Sequence, residues 1–585
     1  MHSAVNKKKR ERTIKIVRNI AIVLIPLIII GLLGLRLAKD AKGMLAEADG
    51  LKAGLKTVIS WVKEKDIEGA EAATANVDKS LASINKTLSS PIWKTTAKLP
   101  GVGKYVKSVN TLVYVAGDAS DEMLKPALEV MKEYPLSGLK MGDGFSVTTI
   151  NAYLDLLEDI APKIDGMAAK MQTVELPFGK TEMISEYTQM LTKLTAEYRE
   201  NGEYLPLCRE FLGHGEDKIY LLAAQNSAEI RASGGFPGSV GTIRIEDGVL
   251  TIGDFRSVYD VLLERASSRA EITSQEISLY SDWIRLARDA CYIPDFERVA
   301  QIWAYSYEDR NHETVDGVVS LTPAVIQKLL EYTGEVTISD GTVLNGDNAT
   351  QVLQKDLYYK YFKKGADSND YVDSLFAETA KLVMAKLVSD FDTNRIAQYS
   401  KIFTDGGKDR TIMMWMADDT AQEYVRNAGC SGALNYDPAQ PEAGVFFSGS
   451  NGSKLGWFVD MDANIDDVVV NDDDSRTYDI TVEITNTISN SDMRGVSEYI
   501  IGLYEGCIDG YLHLFAPSGG TISDVETSNY MRMRMTEYEE LELAYNTDFR
   551  IEPGETVVVT YKVTTAPGIS EPLEIVKTPT LQEYR

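Results

Sequence analysis

The chain has 585 residues, with 60 lysines and arginines against 87 aspartates and glutamates, which gives a formal net charge of −27. Such an acidic protein repels the phosphate backbone of nucleic acids, so nucleic acid is excluded as a partner. One hydrophobic core cannot support a chain of this length, and we expect two to four domains.

An uncharged apolar run near the N-terminus, residues 20–35, lies between Arg18 and Arg36. A membrane-spanning helix needs roughly 20 residues, and residues 14–37 reach that length if both arginines extend to the interfaces. Basic residues dominate the preceding segment, which the positive-inside rule keeps in the cytoplasm. The sequence predicts a cytoplasmic tail (1–13), one transmembrane helix (14–37) and an extracellular body at the cell membrane.

A cleaved signal peptide is the competing interpretation, because charge followed by an apolar stretch is also its pattern. No small-x-small cleavage site follows the run, which continues directly into Arg36, Leu37, Ala38 and Lys39. This contrast favours a retained anchor. The body beyond residue 37 has 52 basic against 86 acidic residues, a net charge of about −34, which tolerates cations and neutral polymers.

Residues 38–205 are predicted to form a helical stalk or bundle. Apolar residues recur there at steps of three and four, which is typical of amphipathic helices. The clearest series is Ile184, Tyr187, Leu191, Leu194 and Tyr198. Breaks are expected at Ser90-Pro91, near Pro100-Gly101 and near Pro177. A spacer without a ligand is the simplest interpretation of this segment.

Residues 206–435 show strands alternating with helices, which predicts an α/β domain. Residues 219–224 form a short apolar run typical of a buried strand. Asp247-Gly248 between two alternating runs indicates a hairpin, and residues 315–321 are a further strand candidate. Helical patterns are predicted at about 273–290, 295–308, 323–332, 348–362 and 370–390.

Residues 436–585 are β-rich and are predicted to form a β-sandwich. Tyr478, Ile480, Val482 and Ile484 alternate with polar residues, the period of a half-buried strand. Further strands are predicted at residues 499–504, 511–515 and 555–563. The overall prediction is therefore an α+β multidomain protein.

The cysteines and histidines identify no metal site. Four cysteines, Cys208, Cys291, Cys430 and Cys507, are too widely spaced for a zinc pattern. Outside the cell they could pair as 208–291 and 430–507, and four buried free thiols are an equal alternative. The four histidines are scattered, and the acidic residues 460–474 do not complete a calcium loop.

The glycine-rich loop, residues 226–236, carries the residues best suited to chemistry. It follows a predicted strand at its C-terminal end, where α/β folds commonly place sites. Arg231 offers a planar set of donors suited to phosphate, and Gly234 and Gly235 permit close approach of backbone amides to an anion. The alternative is structural: Glu229 pairs with Arg231, and the glycines only form a turn.

The sequence YLLAAQNSAEIRASGGFPGS, residues 220–239, resembles the signature of a Gram-positive bacterial family called domain of unknown function 4012. The resemblance extends over most of the chain. It includes the Pro91-Ile92-Trp93 and Lys98-Leu99-Pro100-Gly101 segments, Ile293-Pro294-Asp295-Phe296, Val315-Asp316-Gly317 and Tyr332-Thr333-Gly334-Glu335.

A more distant resemblance is to LytR-CpsA-Psr proteins, membrane-anchored enzymes that transfer glycopolymers from polyprenyl pyrophosphate carriers to the wall. It implies phosphate binding by Asn226, Arg231 and Arg256 together with the two loop glycines, and metal or base roles for Asp254 and Asp316. Mg²⁺ is the cation it implies. Two departures weaken this implication: the metal-binding aspartate of that family appears here as Gly or Phe, and its arginine-rich segment is replaced by residues 354–360.

Taken together, these features predict a membrane-anchored cell-envelope protein that binds, and in the fuller hypothesis transfers, a polyprenyl-pyrophosphate-linked glycan or cell-wall polymer. The alternative is a non-enzymatic envelope scaffold or adhesion module, whose β-sandwich binds protein or glycan. The transferase hypothesis requires Arg231 and Arg256 to meet at one cavity.

Overall fold

The computed structural model describes residues 66–175, 204–363, 368–392, 395–546 and 549–585, together with scattered positions between 47 and 61 and between 185 and 202. One compact unit ends at Arg209, and a second spans Glu210–Arg585. Within the described ranges, no helix is both long and apolar enough to cross a membrane. The predicted span at residues 14–37 lies outside those ranges.

The first unit is mainly helical. Its helices are α1 (Ile67–Leu88), α2 (Pro91–Thr96), α3 (Gly103–Ala119), α4 (Lys125–Glu133), α5 (Val147–Gln172) and α6 (Tyr204–Phe211), the last of which contains the unit boundary. Helix α1 packs against α3 and α4, and α5 packs against α3. The predicted breaks at Ser90-Pro91 and near Pro100-Gly101 are confirmed.

Two features of this unit were not predicted. A π-helical turn, Ser120–Leu124, joins α3 to α4. A small hairpin of β1 (Lys140–Met141) and β2 (Gly144–Ser146) precedes α5. Helix α5 begins where the Ser146 side chain accepts a hydrogen bond from the backbone N–H of Thr149, an N-cap that satisfies one free donor.

The second unit starts with a mixed sheet. Its strands are β3 (Lys218–Asn226), β4 (Phe236–Glu246), β5 (Val249–Ile252), β6 (Arg256–Ser257), β7 (Gly317–Leu321) and β10 (Ile412–Met416). They lie in the order β5-β4-β3-β7-β10, and β6 pairs with β4. Only the pairing of β3 with β7 is parallel. The predicted hairpin is confirmed, and Asp247 and Gly248 both have the positive φ that its tight turn requires.

Helices cover both faces of this sheet. They are α7 (Val258–Val261), α8 (Ser274–Tyr280), α9 (Phe296–Asn311), α10 (Pro323–Thr333), α11 (Ala349–Gln351), α12 (Leu357–Tyr361), α13 (Asn369–Ser389), α14 (Ile396–Lys408) and α15 (Asp419–Asn427). A two-stranded ribbon, β8 (Val336–Thr337) with β9 (Val343–Leu344), follows α10. Helix α9 shares a core with one sheet face, and α10, α13 and α14 form the core on the other.

Two further sheets follow and share one core. Their strands are β11 (Glu442–Gly449), β12 (Val459–Val470), β13 (Arg476–Asn486), β14 (Ile508–Phe515), β15 (Thr521–Thr527), β16 (Arg534–Tyr538), β17 (Leu541–Tyr545), β18 (Phe549–Ile551), β19 (Thr556–Thr564) and β20 (Glu574–Lys577). One sheet has the order β16-β17-β14-β11-β20 with β18 on β14, and the other is β12-β13-β19-β15.

The strand predicted at residues 499–504 is wrong. The chain forms a single helical turn there, α16 (Glu498–Ile501). The Ser497 side chain caps it by accepting a hydrogen bond from the Tyr499 N–H, and Gly502 ends it with a φ of 72°. A local cap and a glycine stop thus outweigh the apolar run that suggested a strand.

The mixed sheet and the two later sheets form one compact unit because they share hydrophobic cores. Phe446 and Phe515, from β11 and β14, belong to the core of the α9 face. Ala228 and Ile230 of the glycine-rich loop, in turn, are buried in the core of the two later sheets.

All four cysteines are free thiols, so neither of the two candidate disulfides is present. Cys208 is exposed, and the other three are buried. Burial raises the pKa of the Cys507 thiol to about 12, and its hydrogen bond to Glu552 adds to that effect.

A pair of carboxyl groups makes the stability of the second unit depend on pH. Glu442 and Glu574 are direct partners on the parallel strands β11 and β20. Burial and the neighbouring Glu574 raise the pKa of Glu442 to about 7, although Arg410 opposes the shift. The native state therefore binds a proton at Glu442 that the unfolded chain releases above about pH 4.5.

We predict that this residue lowers the free energy of unfolding as the pH rises from about 4.5 to 7, by at most about 1.4 kcal/mol per pH unit. Glu442→Gln should remove that dependence, and thermal melts of both proteins across this pH range measure the difference. Glu574→Gln should lower the pKa of Glu442 in the native state, and the pH dependence of unfolding should then end at a lower pH. Parallel curves for the native protein and Glu442→Gln would contradict the assignment.

Candidate functional site

The glycine-rich loop folds back onto the strand that it leaves. The Gln225 side chain donates hydrogen bonds to the carbonyl oxygens of Ser233 and Gly235, at 2.7 and 3.1 Å. A Cβ at Gly235, where φ is 142°, would lie 2.5 Å from the Asn226 carbonyl oxygen, and one at Gly234 would lie 2.6 Å from Gln225 Oε1. The two glycines are thus required by the close contact of the loop with its own strand.

The same loop is tied to the C-terminal sheets by main-chain groups. The backbone N–H groups of Gly456 and Gly449 donate to the carbonyl oxygens of Ala228 and Ile230, at 2.8 and 3.0 Å. The N–H of Ala232 donates to Ser448 Oγ at 2.8 Å. The Ala232 N–H is therefore already used, and the N–H groups of Ser233 and Gly234 donate to the carbonyl oxygens of Cys291 and Arg231, so these loop donors are not available to an anion.

Arg231 is buried, with 2% of its surface exposed. Its Nη1 donates to the carbonyl oxygens of Ile230 and Asn451, and its guanidinium lies 4.4 Å from the centre of the Tyr292 ring. The nearest Glu229 oxygen is 4.0 Å from Nη2. The side chain that was expected to bind phosphate is therefore an internal cation.

Lys454 is the second buried cation of this region, and its ammonium forms an ion pair with Glu229. The same ammonium donates to the Tyr499 hydroxyl at 3.0 Å and lies 4.7 Å from the centre of the Tyr358 ring. Burial lowers the pKa of Lys454, and Glu229 opposes that shift. The structural interpretation of Glu229 is thus supported, although its closest partner is Lys454.

The remaining candidate residues lie in different places. Asp316 accepts hydrogen bonds from the Ile219 N–H at 2.8 Å and from Lys218 Nζ at 3.2 Å, at the N-terminal end of β3. Because Asn226 is seven residues further along the strand, the two positions are roughly 23 Å apart. Asp316 therefore aligns β3 with β7 and does not meet the glycine-rich loop.

Asp254 and Arg256 flank the buried Phe255. Asp254 is exposed and pairs with Lys381 of α13, at 2.6 Å from Oδ1 to Nζ. Arg256 is exposed on β6, opposite Val240 of β4. The structure thus groups Asn226, Arg231, Gly234 and Gly235 at one loop, and Asp254 with Arg256 at another position.

A narrow, mostly apolar cavity lies at the C-terminal ends of the parallel strands β3 and β7. Its volume is about 50 Å³. Its apolar wall comes from the residue before β6, the end of β7, helices α10 and α13 and the turn before α12. These residues include Phe255, Leu321, Pro323, Ile326, Leu353, Phe376, Ala380 and Met384.

Polar groups converge on one side of this cavity. Asn226 lines it and donates from Nδ2 to the Tyr358 hydroxyl at 2.6 Å. Gln354, which lies in a π-helical turn, accepts a hydrogen bond from the Ala228 N–H at 2.6 Å. Within the described ranges, Gln354 Nε2 and Thr322 Oγ1 are buried without a hydrogen-bond partner. Such groups are rare in native proteins and need an explanation, and a bound ligand atom would supply one here.

Sequence reasoning identified Asn226 and Arg256 but not Lys381 or Asp373, which lines the cavity. Lys381 lies 127 residues after its partner Asp254. No local pattern signals a contact at that separation, and only the fold reveals it.

No group of three or more potential metal-ligating His, Cys, Asp or Glu side chains occurs in the part of the chain that the structure describes. The residues implied for Mg²⁺, Asp254 and Asp316, contact Lys381 and Lys218 respectively. These residues do not fit a magnesium site.

Comparison with known proteins gives one family match. Residues 215–358 match the family described as protein of unknown function DUF4012. No curated protein matches the chain. The crystal structure of protein gbs0355 from Streptococcus agalactiae is similar at 13% identity, covering 38% of this chain and 76% of that one, with a TM-score of 0.25.

The distant resemblance to LytR-CpsA-Psr proteins is not confirmed. The match does include the motif that carries the closer resemblance, from Tyr220 to Ser239. The family match thus confirms the predicted resemblance over residues 215–358.

Proposed function

We propose that this protein binds a polyprenyl-phosphate-linked glycan or related amphiphile at the cavity beyond β3 and β7. The observation that carries the proposal is an apolar cavity at the C-terminal ends of two parallel strands. Its lining residues Phe255 and Ala380 are each followed in the chain by an exposed cation, Arg256 and Lys381. Sites of α/β sheets lie at that end of the strands. The proposal concerns binding and includes no transfer step.

The apolar wall suits the hydrocarbon part of such a ligand. At about 50 Å³, the cavity is small beside typical ligand pockets of roughly 300–1,000 Å³, so binding requires it to widen. Helix α13 is the element whose movement would widen it, because Phe376, Ala380 and Met384 form one side. Its ion pair with Asp254 is solvent-exposed and adds little stability.

The rim suits an anionic head group. Phe255 and Ala380 line the cavity, and Arg256 and Lys381 are the adjacent exposed cations. A phosphate at the rim would replace Asp254 as the partner of Lys381. Arg256, whose strand partner Val240 belongs to the core on the α9 face, would add a second charge by turning around the edge of the sheet. This assignment retains Arg256 from the sequence-based hypothesis and excludes Arg231, whose donors are internal.

The predicted anchor is consistent with this function. A transmembrane helix at residues 14–37, with its basic flank in the cytoplasm, would keep the acidic body near the outer leaflet. A lipid-linked substrate presents its phosphate at that surface. Cell-membrane localisation is part of the proposal.

We predict that a polyprenyl phosphate raises the melting temperature of the full-length protein in mild detergent. Arg256→Ala and Lys381→Ala should each weaken binding about fivefold, since an exposed charge contact contributes about 1 kcal/mol. Arg231→Ala should lower the melting temperature of the free protein, because it leaves Glu229 with one fewer buried cation nearby, and should leave the affinity unchanged.

Two controls distinguish the contribution of the ligand's hydrocarbon chain to binding from that of its phosphate head group. A polyprenol without phosphate should bind more weakly and should not respond to Arg256→Ala. Ala380→Phe, which fills the cavity, should reduce binding of both ligands, and its melting temperature shows whether it folds. Binding that is lost in Arg231→Ala but not in Arg256→Ala would overturn the assignment.

A second candidate function is supported by an exposed strand edge. Strand β12 is the edge of the four-stranded sheet, and Val468, Val469 and Val470 at its end are 48%, 55% and 63% exposed. An apolar edge strand is a template for pairing with another extended chain. Asp466, Asp467 and the aspartates 472–474 precede and follow these valines in the chain, so a lysine-containing segment of a protein partner fits best.

For this adhesion function, we predict that an extended peptide of alternating lysine and valine binds the protein, and that Val469→Lys weakens binding at least tenfold by repelling the peptide. Isothermal titration at several salt concentrations measures this change. Val343→Lys, at an exposed valine in another part of the same unit, is the control and should bind normally. An equal loss of peptide binding in Val469→Lys and Val343→Lys would indicate non-specific attraction of the peptide to an acidic protein.

A further inference from the structure

The helical first unit contains an open polar groove of about 860 Å³ between α1, α3 and α5. This size lies within the range of ligand sites. Asn85 of α1, Asn110 and Tyr114 of α3, and Lys170 of α5 are among the side chains that line it. The groove lies wholly within the first unit and is independent of the cavity beyond β3.

An exposed aromatic ring forms one wall of this groove. Tyr114 is 59% exposed although it lies on a helix of the bundle. The Lys170 ammonium is 4.2 Å from the ring centre and is held there by Asp118, at 2.6 Å. The Tyr114 ring is thus positioned by a cation–π contact with Lys170, which Asp118 holds in place, and it presents a preset flat surface.

The end of the groove is fixed by the π-helical turn Ser120–Leu124. Asp78 of α1 accepts a hydrogen bond from Ser120 Oγ at 2.7 Å and pairs with Lys125 at 2.6 Å. Lys125 also pairs with Asp121 at 2.5 Å. Single π-helical turns inside helices occur frequently at functional sites, and this one positions two charged groups at the groove.

Amide groups complete the lining. Asn85 and Asn110 are both exposed. Asn110 donates from Nδ2 to the Val106 carbonyl oxygen at 3.0 Å, which holds its side chain in place and leaves the amide oxygen as an acceptor. Amides with a nearby aromatic ring offer both hydrogen bonds and an apolar face.

The charges of the groove exclude several ligand classes. Three carboxylates, on Asp78, Asp118 and Asp121, outnumber the two lysines, and both lysines are already paired, so an anion is disfavoured. A metal ion lacks a ligand cluster among the described residues. An apolar molecule would leave the amides and charges unsatisfied.

An uncharged polyhydroxylated chain satisfies all of these conditions. Its hydroxyl groups bond to amides and carboxylates, and its C–H faces pack on an aromatic ring. We infer that this groove is a glycan-binding site with Tyr114 as its platform and Asn110 as a polar anchor.

The test uses the full-length protein in mild detergent and two neutral probes, tetrasaccharides of glucose and of N-acetylglucosamine. Saturation-transfer NMR and isothermal titration should detect binding of at least one of them. Tyr114→Ala and Asn110→Ala should each weaken it at least fivefold. Tyr105→Ala removes another aromatic ring of α3 that does not line the groove, and it should bind like the native protein.

Circular dichroism and melting temperature verify that each variant folds, and Tyr114→Phe, which keeps the ring, should retain binding. The inference is overturned if neither probe binds at millimolar concentration. It is also overturned if Tyr114→Ala binds as well as Tyr105→Ala, or if inorganic phosphate binds in the groove more tightly than either sugar.

Discussion

The buried contact between Glu229 and Lys454 is the interaction on which the second unit depends. It joins the glycine-rich loop to the segment between β11 and β12, 225 residues later. A buried ion pair is costly to break, because one removed partner leaves the other charge desolvated. The main-chain bonds from Gly449 and Gly456 lie on either side of it, so the ion pair and the backbone hold the same junction.

This junction explains why the loop carries so many residues that resemble a site. Arginine, glutamate and two glycines after a strand are also the residue types that bind phosphate. Here the glycines bring the loop close to Gln225, and the arginine lies over the Tyr292 ring. Here the same residue types form an internal contact between the loop and the C-terminal sheets. Only the position of those sheets distinguishes this contact from a phosphate-binding site.

Features set by local sequence were predictable. The Asp247-Gly248 hairpin follows from residues that tolerate positive φ, and β13 and β19 follow from alternation of apolar and polar residues. The position of Asp316 and the partner of Glu229 were not predictable. Each depends on which end of a strand faces another element, and local patterns do not contain that information. The helical turn at α16 shows a third limit, because one cap and one glycine outweighed an apolar run.

The acidity of the body constrains which ligand can bind. A field from a net charge of about −34 beyond residue 37 disfavours free anions, including a phosphate sugar without a lipid. An amphiphile differs because burial of its hydrocarbon chain contributes about 25 cal/mol of favourable binding free energy for each Å² of apolar surface. Burying a few hundred Å² therefore offsets the repulsion of its head group, which Arg256 and Lys381 reduce locally. A neutral glycan meets no such repulsion, so the acidic field selects for a molecule that combines a long apolar chain with uncharged sugars.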